Sequence, residues 1–274
     1  MRRLANLAAA VLLAGCATQP TAQSISADFP GRQYVLLGEV HDNAEGQRQR
    51  LEALTRAVEQ GWRPAIAMEQ FDREHQPDIE RARRERPQDA DYLIEQAGTK
   101  GWPWQQYRPL VALALRYDLP LVAANLSRAD AAKIVRGGFE ALFSGAERAQ
   151  LRLARPVPGD IAATQTKVLE QGHCGNFPAA MLPGMLNAQA ARDAVMAAAL
   201  KPYASRGAVL IAGNGHVRAD IGVARWLGAA PDAVLSVGYL ESDAVAEEGR
   251  FDRIITVPPV ARPDPCADAK PKMG

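Results

Sequence analysis

The 274-residue chain is 47% hydrophobic, enough to bury a sizeable core, which excludes a disordered or collagen-like polypeptide. Its 32 Lys and Arg against 31 Asp and Glu leave a formal charge of +1, so neither a basic surface for nucleic acid nor an acidic solvating tail is indicated. With 22 Gly and 19 Pro and no repeat at solenoid or propeller spacing, low-complexity and repeat architectures are excluded too.

Arg2 and Arg3 precede an apolar run over residues 4–14, which is too short to span a bilayer and has the layout of a secretory signal. The run closes on Leu13-Ala14-Gly15-Cys16, which resembles a bacterial lipobox with Cys16 as the acylated mature N-terminus. Ala17 in place of Asp implies sorting to the outer membrane, facing periplasm or cell surface. Removing residues 1–15 takes away two arginines and no acids, so acyl chains rather than basic attraction would hold the membrane. Residues 16–31 read as a flexible tether, 32–260 as one α/β domain and 261–274 as a disordered tail. The two other cysteines, Cys174 and Cys266, could pair in an oxidising compartment and tie the Pro-rich end to the body.

Tyr34-Val35-Leu36-Leu37 is a short β-prone run that stops at Gly38-Glu39-Val40-His41-Asp42-Asn43. Strand spacing puts Glu39 and His41 on one side. Asp42 or Asn43 caps a helix to about Gln60 with an apolar stripe of Leu51, Leu54 and Val58, closed by Gly61. A second strand, Ala65-Ile66-Ala67-Met68, ends at Glu69. A right-handed crossover predicts that the two strands are parallel near neighbours. A charged helix follows to about Arg86. Trp102, Trp104 and Tyr107 are expected on a loop or cap before a helix from Leu110 to Tyr117, Pro109 blocking an earlier start. A third strand ends at Asn125, and Ser127 caps the next helix. Residues 136–186, broken by Gly and Pro, are expected to form a helical cap before a helix from Asn187 to Leu200. The fourth main strand, Ala208 to Ala212, ends at Gly213-Asn214-Gly215-His216, and two more runs lie at 233–239 and 251–257.

The expected fold is therefore an open parallel or mixed α/β sheet with helices on both faces, and its ligand crevice lies beyond the strand C-termini. Glu39, His41, Glu69, Asn125, Asn214 and His216 all fall there. Helix capping accounts for Asp42, Asn43 and Ser127, but two Glu and two His at strand ends serve no cap. Imidazoles and carboxylates together either hold a divalent metal or act as general acids and bases, and the sequence leaves both open. The phosphate-binding loop, the Gly-x-Ser-x-Gly elbow, His-Glu-x-x-His and Cys-x-x-Cys-His are absent from the sequence.

In order along the chain, Gly38-Glu39-Val40-His41-Asp42-Asn43, Met68-Glu69-Gln70-Phe71, Tyr107-Arg108-Pro109, His173-Cys174-Gly175, Met181-Leu182-Pro183-Gly184-Met185 with Arg192-Asp193, and Gly213-Asn214-Gly215-His216 resemble the ChaN family of haem-binding lipoproteins. The resemblance spans about residues 32–240. It implies an outer-membrane lipoprotein that binds haem for iron acquisition, as a homodimer enclosing two stacked haems and in reach of an outer-membrane haem receptor. It further implies Fe(III) held by a tyrosine, with Tyr107 first and Tyr92 next, Arg108 on a propionate and His173 as distal partner. The wider erythromycin-esterase and Tiki superfamily implies an alternative. In it, Glu39, His41, Glu69 and His216 serve a hydrolase (esterase or peptidase), with a divalent metal or by His and Glu alone.

Overall fold

The computed structural model describes residues 25–174, 178–241, 249–264 and 266–267. The signal, Cys16 and most of the tether lie outside the described residues. Six strands, β1 (Tyr34–Leu37), β2 (Ala65–Asp72), β3 (Leu121–Asn125), β4 (Ala208–Ile211), β5 (Val234–Leu240) and β6 (Arg253–Thr256), form one sheet in the order β3-β2-β4-β1-β5-β6. Every pairing is parallel. β1 to β4 are buried at every position, which is why they read as continuous apolar runs rather than alternating ones.

The helices are α1 (Ala44–Glu59), α2 (Gln76–Glu85), α3 (Ala90–Ala97), α4 (Trp104–Arg116), α5 (Arg128–Gly137), α6 (Gly145–Gln150), α7 (Gly159–Gly172), α8 (Leu182–Leu200) and the short α9 (Asn214–Val217) and α10 (Ala224–Leu227). Two cores result, one on each face of the sheet. Val35, Leu37, Ile66 and Met68 pack with residues of α1 to α4, while Leu36, Ala65, Ala67 and Leu210 pack with residues of α5 and α8. Asn43 and Ser127 cap α1 and α5 through hydrogen bonds from Gly46 N and Asp130 N, 2.8 and 3.3 Å long.

β1 and β2 are parallel near neighbours as expected, with β4 between them, so the first crossover skips one strand. The structure departs from the sequence reading at three elements. β2 runs on past Glu69 to Asp72: the ladder with β3 is interrupted after Met68, where Gln70 and Phe71 are fully buried, and resumes at Asp72 opposite Asn125. α4 begins at Trp104 and carries Pro109 inside it; burial of Tyr107 and Leu110 on the sheet outweighs the lost backbone donor. α8 begins at Leu182 rather than Asn187, with Pro183 in the first turn, where its missing N–H costs nothing.

The Pro-rich end is tied to the body. Cys174, just past α7, is disulfide-bonded to Cys266, their Cα atoms 5.5 Å apart. Arg262 clamps Asp42 with two 2.6 Å hydrogen bonds and Glu241 with contacts of 2.6 and 2.8 Å. Among the described residues no helix is long and apolar enough to cross a membrane.

Candidate functional site

The site is assembled from the C-terminal ends of three neighbouring strands. β4 is central, and past its end come Gly213 and His216; β1 on one side leads to Glu39 and His41; β2 on the other carries Glu69. The inserted position of β4 brings residues far apart in the chain to one rim. They open on a cavity of about 920 Å³, which His41, Glu69, Asp72, Asn125 and His216 line on the polar side. Trp102 and Pro103 from the loop before α4, and Ala131, Val135, Met185 and Ala188 from α5 and α8, supply apolar wall.

Glu39 is the buried anchor behind this rim. One carboxylate oxygen accepts hydrogen bonds from His41 Nδ1 at 2.8 Å, Gln70 Nε2 at 2.9 Å and Tyr107 OH at 2.7 Å. The other pairs with the buried Arg50 guanidinium of α1. Burial alone would raise the Glu39 pKa, but the Arg50 charge and the His41 hydrogen bond overturn it and bring it to about 2. Glu39 is thus a permanent anion that fixes the ring orientation of His41. That ring leaves 45% of its side chain exposed, meets Trp102 edge-on with centroids 4.8 Å apart, and has no Nε2 partner among the described residues. Burial would lower the His41 pKa; the Glu39 hydrogen bond and the Glu69 charge raise it above its ordinary value.

A second oriented imidazole stands beside the first. His216 Nδ1 bonds the buried Asp193 of α8 at 2.6 Å, and its Nε2 faces Glu69 Oε1 at 3.6 Å. The other Glu69 oxygen accepts the Gly213 N–H at 2.8 Å. A Cβ on Gly213 would stand 3.1 Å from His41 Nε2 and 3.7 Å from a Glu69 oxygen, so the Gly213 backbone, Glu69 and the His41 ring crowd together. Burial alone would depress His216, but the Asp193 and Glu69 charges reverse this and raise it.

A family model described as haem-binding uptake, Tiki superfamily, ChaN matches residues 25–227, the strands and loops that build this rim included. The chain belongs to the ChaN family. Among solved structures it is similar to one titled as cofacial heme binding to ChaN of Campylobacter jejuni. That match has 19% identity and a TM-score of 0.63, covering 77% of this chain and 83% of that one. A mutant erythromycin esterase in its open conformation is more distant, at 13% identity and a TM-score of 0.48 over 80% of this chain and 72% of that one. No curated protein matches.

Within this ChaN-family crevice the structure sorts the expected residues into three groups. His41, Glu69, His216 and Asn125 line the cavity. Glu39 and Tyr107 lie behind it: Tyr107 is 1% exposed, and burial followed by the Glu39 charge pushes its phenol well above the ordinary tyrosine range. None of the six tyrosines is among the residues that line this cavity, and the Tyr107 hydroxyl is on Glu39. Tyr92 hydrogen-bonds Glu85 and lies under Arg86, and Arg108 is held at 2.6 Å by Asp91 on the surface. His173 caps α7 with Nδ1 on Leu169 O at 2.8 Å. Asn214 braces β5, donating to Tyr239 O at 2.6 Å and accepting from Tyr239 N at 3.1 Å, so it is structural. Of the four residues expected as an alternative metal set, Glu39 has both oxygens engaged by protein partners, and no group of three or more His, Cys, Asp or Glu placed to hold a metal ion occurs among the described residues.

Sequence reasoning missed Arg50 and Asp72. Arg50 had a signal: it shares the buried face of α1 with Gln47, Leu54 and Ala57, a charge inside an apolar stripe that needs a buried partner. Asp72 had none, because the bulge that turns it into the crevice is decided by pairing with β3.

Proposed function

We propose that this protein binds haem in the crevice beyond β1, β2 and β4, and that His41 Nε2 is the protein atom that meets the iron. One observation carries this reading: an imidazole oriented from behind by an anionic carboxylate, open toward a cavity of about 920 Å³ with Trp102 and aliphatic wall. Ligating imidazoles are commonly oriented this way, with the second ring nitrogen on a carboxylate. Membership in a family described as haem-binding supports the same ligand. Bound haem would supply a Lewis-acidic iron and two edge carboxylates. Tyr107 acts at one remove, sharing Glu39 with His41.

In this reading the chain is an outer-membrane lipoprotein anchored at Cys16. It works in haem acquisition, pairs as a homodimer and passes its ligand to an outer-membrane receptor. Ferric haem titrated into the protein at micromolar concentration is expected to shift the Soret band. His41→Ala changes the axial-ligand spectrum and weakens binding, whereas Tyr107→Phe retains the spectrum. A Soret shift insensitive to His41→Ala but abolished by Tyr107→Phe would return the iron to the phenol. Protons compete for His41, whose pKa is raised, so affinity is expected to fall as pH drops below that value. Mass spectrometry of the mature N-terminus tests the anchor: a diacylated Cys16 is expected.

A second reading is favoured by one specific feature. His41 on Glu39 and His216 on Asp193 are two carboxylate-oriented imidazoles flanking Glu69, an arrangement suited to general acid–base hydrolysis of an ester or peptide. Turnover of ester substrates that is lost in His216→Ala, with haem binding retained, would move the assignment there.

A further inference from the structure

Besides the two histidines, the crevice is lined by a group built around Asp72 and Asn125. Asn125 Nδ2 donates to Asp72 Oδ1 at 3.1 Å, and Arg192 Nη1 donates to Asn125 Oδ1 at 2.7 Å. The Asp72 backbone N–H donates to Thr99 Oγ1 at 3.0 Å, which pins the loop carrying Lys100. Arg128 follows Asn125 by three residues and is the first residue of α5, after its Ser127 cap. Three cations, Lys100, Arg128 and Arg192, line the cavity, and Arg192 is tied to the Asn125–Asp72 pair. Lys100 and Arg128 are exposed and have no ion-pair partner among the described residues.

The charge balance around Asp72 and Asn125 is positive. Burial and then the Glu74 charge raise the pKa of Asp72, the carboxylate at the hub. Asp130 nearby is already shared by Arg73 and Lys133. Asp42, also on the cavity, is neutralised by Arg262, and Glu69 stands between the two histidines. Unpaired cations on the lining of a cavity that also has the apolar wall of Ala131, Ala132 and Val135 suit a ligand with a flat apolar body and acid groups on one edge.

We infer that Lys100, Arg128 and Arg192 form a carboxylate-binding pole that selects a planar dicarboxylate ligand and sets which edge enters first. The inference rests on the haem reading for the identity of the ligand, but it concerns the acid edge and not the iron. Lys100 and Arg128 take the carboxylates directly, and Arg192, held by Asn125, completes the pole from α8.

The test compares three probes on the full chain: ferric haem, its dimethyl ester, and an iron-free porphyrin that keeps both carboxylates. The double variant Lys100→Gln with Arg128→Gln alters two exposed side chains and leaves His41 and its partners in place; circular dichroism checks the fold. Absorbance titration is expected to give a loss of roughly ten-fold or more for haem in the double variant and weaker haem binding at high salt, with the ester bound weakly and alike by both proteins. The iron-free dicarboxylate, followed by fluorescence, should track haem. Equal loss of the acid and its ester, or no loss for either, overturns the pole. Should the wild type bind the iron-free dicarboxylate through Lys100 and Arg128 but give no axial-ligand signature with haem, the pole stands and the iron reading falls. Failure of all three probes to bind the wild type overturns both.

Discussion

At the level of single residues, Glu69 is the side chain through which the two histidines are coupled. Its charge is among the causes that raise both His41 and His216, while its backbone contact to Gly213 is one that a glutamine can also accept. Glu69→Gln should therefore lower both imidazole titration midpoints without disturbing the turn, as followed by NMR. The sign for stability follows from the raised folded-state pKa values. The contribution of each histidine is fully present below its unfolded value of about 6.5 and is lost as pH rises through the higher folded value. Wild-type stability attributable to the two histidines should thus decline between pH 6.5 and the folded values, and the decline should shrink in Glu69→Gln. Glu39 works in the opposite sense: its pKa of about 2 stabilises the fold above its unfolded value and the effect is lost as pH falls toward 2. Denaturant midpoints across pH test both slopes.

Among the elements, the contact between α5 and α8 decides the shape of the crevice wall. Gly184, in the first turn of α8, lies against the α5 backbone so closely that a Cβ would stand 2.2 Å from Val135 O. Backbone cannot yield as a flexible side chain can, so Gly184→Ala must move the start of α8 away from α5. We expect a loss of about 1–3 kcal/mol in chemical denaturation. Ligand affinity should fall with it, because Val135 and Met185 both line the cavity. Unchanged stability would mean that the two helices do not approach so nearly. The Met-Leu-Pro-Gly-Met stretch was legible as a motif, but its glycine explains itself only once the neighbouring helix is in place.

Across the whole molecule, the disulfide and the Arg262 clamp join the helical cap, the turn after β1 and the C-terminal segment. Cys174 and Cys266 are 92 residues apart in sequence, so the bridge restricts a long loop of the unfolded chain. The chain-entropy model gives roughly 4–5 kcal/mol for such a loop. Cys266→Ser, or reduction of the wild type, should lower the denaturant midpoint accordingly, and limited proteolysis should then cut the tail first. A midpoint unmoved by reduction would show that packing alone holds the segment. The Arg262 pairs are part-exposed, so they add little free energy by themselves and serve mainly to direct the tail across Asp42 and Glu241.

Local sequence was sufficient for the α/β class, the positions of the main strands, the Ser127 cap and a cap at Asp42 or Asn43, and the presence of Glu39, His41 and His216 just past strand ends, with Glu69 inside β2 before it closes at Asp72. Each of these follows from periodicity, capping chemistry or strand termination within a few residues. Only tertiary structure decided that β4 enters between β1 and β2, that Tyr107 turns its hydroxyl to Glu39, and that Lys100, Arg128 and Arg192 line the same cavity as Asp72 and Asn125. The physical reason is range. Hydrogen-bond capping and apolar periodicity act between near neighbours in the chain, whereas strand order and the partners of a buried charge depend on segments tens to hundreds of residues apart, whose contacts no local pattern encodes.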